Sequence, residues 1–142
     1  MTGAISTDDP GHPGDRLGLP ARGPGSVSRL GPRLLALGLD WVACVIVVLA
    51  FGLDPLYGPP TDSLVALAVL VVEHTVLVGL LGTSLGHRLV GIRVARLDGA
   101  PIGLLRGLGR AVLLALVIPP LVMDRDARGL HDFAAGTVVV RR

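Results

Sequence analysis

Two apolar stretches of bilayer length, each with ionisable residues in its interior, constrain this chain more than any other feature. The first lies within "PRLLALGLDWVACVIVVLAFGLD", Pro32 to Asp54, with a span from about Leu34 to Leu53. The second, "SLVALAVLVVEHTVLVGLLG", runs from Ser63 to Gly82. At ~1.5 Å per residue, about 20 residues match a hydrocarbon core of ~30 Å. The acidic residues are affordable: the Leu and Val of the second stretch contribute roughly −4 to −7 kcal/mol to insertion, against about +3 kcal/mol for one acid near the centre. With 51% hydrophobic residues and a mean hydropathy of +0.68 in 142 residues, a bilayer suits this chain better than water.

The rest of the chain divides around these spans. Residues 1 to 31 are rich in Pro, Gly, Ser and Asp and lack an apolar signal-peptide core, so they are expected to form a disordered cytoplasmic tail ahead of a membrane domain over 32–142. "DPLYGPPTD" is a Pro-rich turn that places Tyr57 at interfacial depth. A third apolar run, "AVLLALVIPPLVM", covers only 13 residues. Taken back to Leu104 it reaches Met123 but includes Arg106 and Arg110, which would have to snorkel. Between the second and third runs, "IRVARLDGAPI" alternates and then turns at Asp98-Gly99, and the closing "TVVV" is its natural strand partner. The expected fold is an all-α membrane protein: two full transmembrane helices (about 34–53 and 63–82), a third short apolar helix over 104–123 that is either re-entrant or spanning, and a small cytoplasmic β-strand pair.

Every basic residue is an arginine, and their distribution orients the chain. Arg16, Arg22, Arg29 and Arg33 precede the first span, none separates the first from the second, and Arg88, Arg93, Arg96, Arg106 and Arg110 follow the second. By the positive-inside rule the N-terminus and the long loop are cytoplasmic. A full third crossing would carry Arg125, Arg128, Arg141 and Arg142 outside and separate the two strands, which favours an element that dips in and returns. The Ala-, Gly-, Val- and Arg-rich composition, without Lys, Asn or Gln, suits a GC-rich bacterial genome and hence the bacterial inner membrane.

Asp40 lies on a face with Arg33, Ala36, Leu37, Ala43, Cys44 and Val47, while Leu35, Leu39, Val42, Ile46, Leu49 and Leu53 form a bulky opposite face suited to lipid. An intramembrane acid on a small-residue face is expected to meet another helix or a water-filled cavity. Glu73 falls within about one helical turn of Asp40 in depth on an antiparallel span, so Asp40, Glu73 and His74 are a candidate proton or ion site. The alternative is a structural clasp of Asp40 by Arg33, with Glu73 facing another subunit. Gly103, Gly107, Ala111 and Ala115 suit close helix contact, and Arg88, Arg93, Arg106 and Arg110 are candidate contacts for anionic lipid or a partner.

Other chemistries find little here. No basic stripe with interleaved aromatics points to nucleic acid. His87, His131 and the acids show no metal-ligand spacing, and neither HExxH nor CxxC occurs, so no metal or cofactor is expected. Cys44 reads as a packing residue. Ser26, Ser28, Ser63 and Ser84 lack a nucleophile elbow, and no catalytic residue or enzymatic activity is expected.

"GPRLLALGLD", "SLGHRLVGIRVARLDGAPIG" and "RDARGLHDFAAGTVVVRR", in this order over roughly residues 30 to 142, resemble the motifs of the RDD family of small bacterial membrane proteins. The resemblance puts the family's arginine on Arg33 and its two aspartates on Asp40 and Asp132. Its middle motif falls on Gly86, Arg88, Gly91, Arg93, Val94, Asp98 and Gly99, and Gly136 and Thr137 follow in the closing one. The resemblance implies a polytopic membrane protein, with transport of an ion, proton or small ligand as the usual suggestion and no named substrate. The expected partners are membrane lipid and a second copy or another membrane protein. A non-transporting accessory or assembly factor that docks a protein or anionic lipid is the alternative.

Overall fold

The computed structural model describes residues 11–116 and 128–142. Its elements are a 3-10 turn at Asp15–Leu17, α1 (Leu30–Ala50), α2 (Pro60–Leu81), α3 (Leu85–Val90), β1 (Ile92–Arg96), α4 (Leu104–Ala115), α5 (Leu130–Ala135) and β2 (Thr137–Arg141). Among the described residues, α1 and α2 are the two helices long and apolar enough to cross a membrane. Both start a few residues before the spans expected from hydropathy. Pro32 in α1 and Pro60 at the start of α2 sit in the first turn, where a missing N–H leaves no hydrogen bond unmade.

The two long helices bury single stripes. In α1 the stripe is Ala36, Asp40, Cys44 and Val48; in α2 it is Asp62, Ala66, Leu70, His74 and Val78, a repeat of four along one face. Leu35, Val42, Ile46 and Leu49 on α1, and Leu64, Val72 and Leu80 on α2, remain exposed. Only 28% of each apolar window is buried, so large apolar faces are left for lipid or another chain. The connection is built by Asp54, whose Oδ1 accepts from the backbone N–H of Leu56 and Tyr57, while Asp62 Oδ2 accepts from Asp54 N at 2.8 Å. Tyr57 projects from this turn, 93% exposed.

The third apolar element packs on the second helix through glycines. A Cβ on Gly107 would lie 2.8 Å from the carbonyl oxygen of Thr75 and 3.1 Å from Gly79 Cα. The small-residue face therefore serves close helix approach, as its spacing suggests. Helix α4 is described to Ala115; the expected continuation through Pro119-Pro120 to Met123 lies outside the described residues.

The expected strand pair is present. β1 and β2 run antiparallel from Ile92 opposite Arg141 to Arg96 opposite Thr137. The turn after β1 uses Gly99 at φ 74 and Asp98, whose Oδ1 accepts from Ala100 N. Asp98 also pairs with Arg96, and these hydrogen bonds hold its carboxyl below the usual range.

The described part of the N-terminal region, residues 11–29, corrects the expectation of a wholly disordered tail. Val27 bridges to Val140, Ser28 N donates to Val139 O at 2.8 Å, Arg141 N to Ser26 O and Gly25 N to Arg141 O. β2 would otherwise present a row of unpaired backbone groups, and this segment covers that edge whatever its composition. Val27, Val138 and Val140 close a small apolar cluster with Leu17 and Leu19 beside them.

Candidate functional site

The functional side chains are brought together by a short element between the long helices and the sheet. Ser84 caps α3, accepting from His87 N at 3.2 Å, and the helix ends at Gly91 with φ 78. Gly86 lets this cap lie on α1, because a Cβ there would overlap the Ala36 carbonyl and reach Asp40 Cγ at 3.0 Å. The N-terminal turn of α3 thus faces the acid directly.

Asp40 is fully buried and accepts two hydrogen bonds from this turn, from Gly86 N to Oδ1 at 2.5 Å and from Ser84 Oγ to Oδ2 at 2.6 Å. Two imidazoles complete the group. His87 Nδ1 lies 2.5 Å from Ser84 Oγ, and His74 Nε2 lies 3.4 Å from Asp40 Oδ2. On its other side His74 Nδ1 meets the Leu70 carbonyl at 3.2 Å and Glu73 Oε2 at 3.1 Å. Glu73 Oε1 accepts from Leu85 N at 3.3 Å. Asp40, Glu73 and His74 do come together, with the histidine between the acids.

A second carboxylate organises a neighbouring group. Asp132, on α5 and fully buried, takes Arg110 Nε on Oδ1 at 2.7 Å and Arg33 Nη1 on Oδ2 at 3.3 Å. Thr137 Oγ1 donates to Oδ1 at 3.3 Å, and His131 Nε2 lies 3.6 Å away. Burial pushes this carboxyl up, but the charges of Arg110, His131 and Arg33 outweigh it and bring it down to about 2.

Two sequence expectations are corrected here. Arg33 does not clasp Asp40: its Nη1 reaches Asp132 and its Nη2 donates to Val139 O at 3.4 Å, so the first-span acid is left to Ser84 and Gly86. Arg110 does not reach for lipid; it is 3% exposed and paired inside the protein. A snorkelling arginine needs an exit to water, whereas Asp132 supplies a buried counter-charge that only the folded chain reveals. Arg106 donates to Ala135 O at 2.9 Å from an exposed position, and Arg88 and Arg93 are exposed.

Both groups open onto one cavity of about 30 Å³, lined by His74 and His87 on one side and Arg33, Arg110 and His131 on the other, with Leu30, Leu34, Leu37, Leu114 and Val139. Such a volume suffices for a water, which needs ~10–15 Å³ and polar partners. His74 Nε2 and Arg110 Nη1 are buried without a hydrogen-bond partner. Burial, followed by the nearby charge of Arg110, holds His87 well below the usual imidazole range. Ser84 and His87 are the members that sequence reasoning passes over. Ser84 carries a local signal, since a serine ahead of a short helical run is a preferred N-cap, but nothing local says that the same hydroxyl also serves Asp40.

The family model of the RDD family matches residues 27–136, most of the chain, and the chain belongs to that family. No curated protein and no solved structure matches it. The two apolar helices and this family point to a membrane protein.

Proposed function

We propose that this RDD-family chain is a multi-pass protein of the bacterial inner membrane, working as an oligomer in the movement of an ion, a proton or a small ligand. One observation carries the reading: the cavity shared by the Asp40 and Asp132 groups, with protonatable side chains on both walls, set between apolar helices. Ionisable groups buried at such depth are costly and are expected where a path or ligand needs them. Two long helices are too few to enclose a path, and the exposed apolar faces of α1 and α2 offer the surface on which further copies would pack. The arginine distribution supports a cytoplasmic N-terminus.

The test is reconstitution into liposomes with a pH-sensitive dye and, in parallel, radiolabelled cations. The wild type moves protons or cations, and Asp40→Asn, which keeps the size of the side chain, does not. Absence of flux for every ion tested overturns the transport reading. The second reading, an accessory factor that moves nothing, is favoured by the exposure of Arg88 on α3 and Arg93 on β1. It expects Arg88→Ala with Arg93→Ala to abolish binding to anionic vesicles or a partner while insertion is retained.

A further inference from the structure

We propose that Asp40, His74 and His87 form a binding site for a divalent transition-metal ion of the zinc, cobalt or iron type. Each of the three offers one ligand atom, the three atoms lie within 4.8 Å of one another, and all three residues are buried. The site shares Asp40 and His74 with the group behind the transport reading, but the binding of an ion there does not depend on anything being transported.

Hydrogen bonding around the first imidazole supplies the independent argument. The Leu70 carbonyl can only accept, so the ring nitrogen hydrogen-bonded to it, His74 Nδ1, carries the proton; the Glu73 carboxylate lies 3.1 Å from the same nitrogen without a hydrogen bond. A carboxylate or carbonyl on the far nitrogen is the usual way a metal-binding histidine is oriented. In the neutral ring Nε2 then holds a lone pair, and it lies 3.4 Å from Asp40 Oδ2 with no hydrogen bond formed. Two acceptors so placed repel unless a proton or a cation lies between them. The edge of a coordination tetrahedron with bonds of about 2.0–2.1 Å is roughly 3.4 Å. The separation is long for a hydrogen bond and right for two ligands of one ion.

The remaining requirements are met nearby. Asp40 is fixed by Gly86 N and Ser84 Oγ, and His87 by Ser84 Oγ, so the ligands are held by an outer shell of their own. His87 sits in the same cavity wall as His74, and the cavity offers room for a water as a further ligand. Two imidazoles and one carboxylate are a donor set for zinc, cobalt or iron rather than magnesium or calcium, which prefer oxygen alone. Arg33 and Arg110, which would repel a cation, have Asp132 as their own counter-charge.

The experiment uses the full chain, free of any affinity tag, purified in detergent and stripped of metal, and titrates it with Co(II) while recording visible absorption. One Co(II) per chain is expected, with d–d bands of a low-coordinate nitrogen and oxygen site, displaced by Zn(II). His74→Gln and His87→Gln should each weaken binding by about tenfold or more, while His12→Ala, on a histidine outside the group, leaves it unchanged. A wild-type chain that takes up no Co(II) saturably overturns the proposal without recourse to variants. So does uptake that is equal in wild type and in folded His74→Gln and His87→Gln, because the ions then sit elsewhere. Flux measured in metal-free liposomes separates this outcome from the transport reading.

Discussion

Arg110 Nε and Asp132 Oδ1 meet at 2.7 Å in the interior and tie α4 to α5, while Arg33 of α1 holds the other carboxylate oxygen at 3.3 Å. Arg33 and Asp132, which the motif resemblance places on the family's arginine and second aspartate, are thus direct partners across most of the chain's length. Asp40, which the same resemblance places on the first aspartate, belongs to a different group, the one built on Ser84 and Gly86.

Removing the shared carboxylate leaves two guanidiniums facing each other without it. Asp132→Asn keeps the shape and loses the charge, and breaking a buried pair in this way costs about 3–5 kcal/mol. Thr137→Val removes one hydroxyl hydrogen bond to the same oxygen but leaves both ion pairs in place, and costs less, about 1.5–3 kcal/mol. Thermal unfolding in detergent should show a larger drop in Tm for the first and a smaller one for the second. Equal, small shifts would mean that the ion pair contributes little.

The same carboxylate makes stability sensitive to acid. Its pKa is lowered from 3.8 to about 2, so its contribution is full above the unfolded value of 3.8 and is lost as pH falls through about 2. A shift of this size corresponds to about 2 kcal/mol. Wild-type Tm should therefore fall between about pH 4 and pH 2 more steeply than that of Asp132→Asn. Parallel curves would show that other groups dominate acid unfolding.

Local pattern carried much of this architecture. The two apolar stretches became α1 and α2, the alternating "IRVAR" became β1, and "TVVV" became its partner, because burial and alternation are properties of neighbouring residues. The Asp40 face was also visible, as Ala36, Asp40 and Cys44 repeat at helical spacing, although Val48 rather than Val47 completes the buried stripe. Pairings between distant residues were not visible. Whether Arg33 meets Asp40 or Asp132 depends on where α5 packs, and seven residues along one helix say nothing about a partner 99 residues away. The metal-ligand candidates fail a spacing test for the same reason, since Asp40, His74 and His87 come from three helices.

Close helix approach should make one glycine intolerant and its neighbour tolerant. In Gly107→Ala the new methyl would press on the Thr75 carbonyl and on Gly79, whereas at Gly109, on the same helix, it would meet nothing within 4 Å. The first should lose about 1–3 kcal/mol to overpacking. The second should gain up to about 1 kcal/mol from better helix propensity. Comparing the two Tm values checks this directly, and a Gly107→Ala chain as stable as wild type would mean that α2 and α4 do not approach so closely.

Strand pairing makes a statement about sidedness that hydropathy alone does not. β1 pairs with β2, and Val27 bridges to Val140, so the segment before α1, the strand after α3 and the C-terminal strand share one end of the helix pair. Backbone hydrogen bonds across a bilayer are impossible, so the pairing predicts that β1 and β2 lie on the same side of a membrane spanned by α1 and α2. With Cys44→Ser as background, Ala100→Cys and Arg142→Cys should react with an impermeant maleimide from the same side of the membrane, and Tyr57→Cys from the other. The arginine distribution leads to the expectation that the shared side is the cytoplasm. Labelling of Ala100→Cys and Arg142→Cys from opposite faces would require a third full crossing and would be incompatible with the β1–β2 pairing.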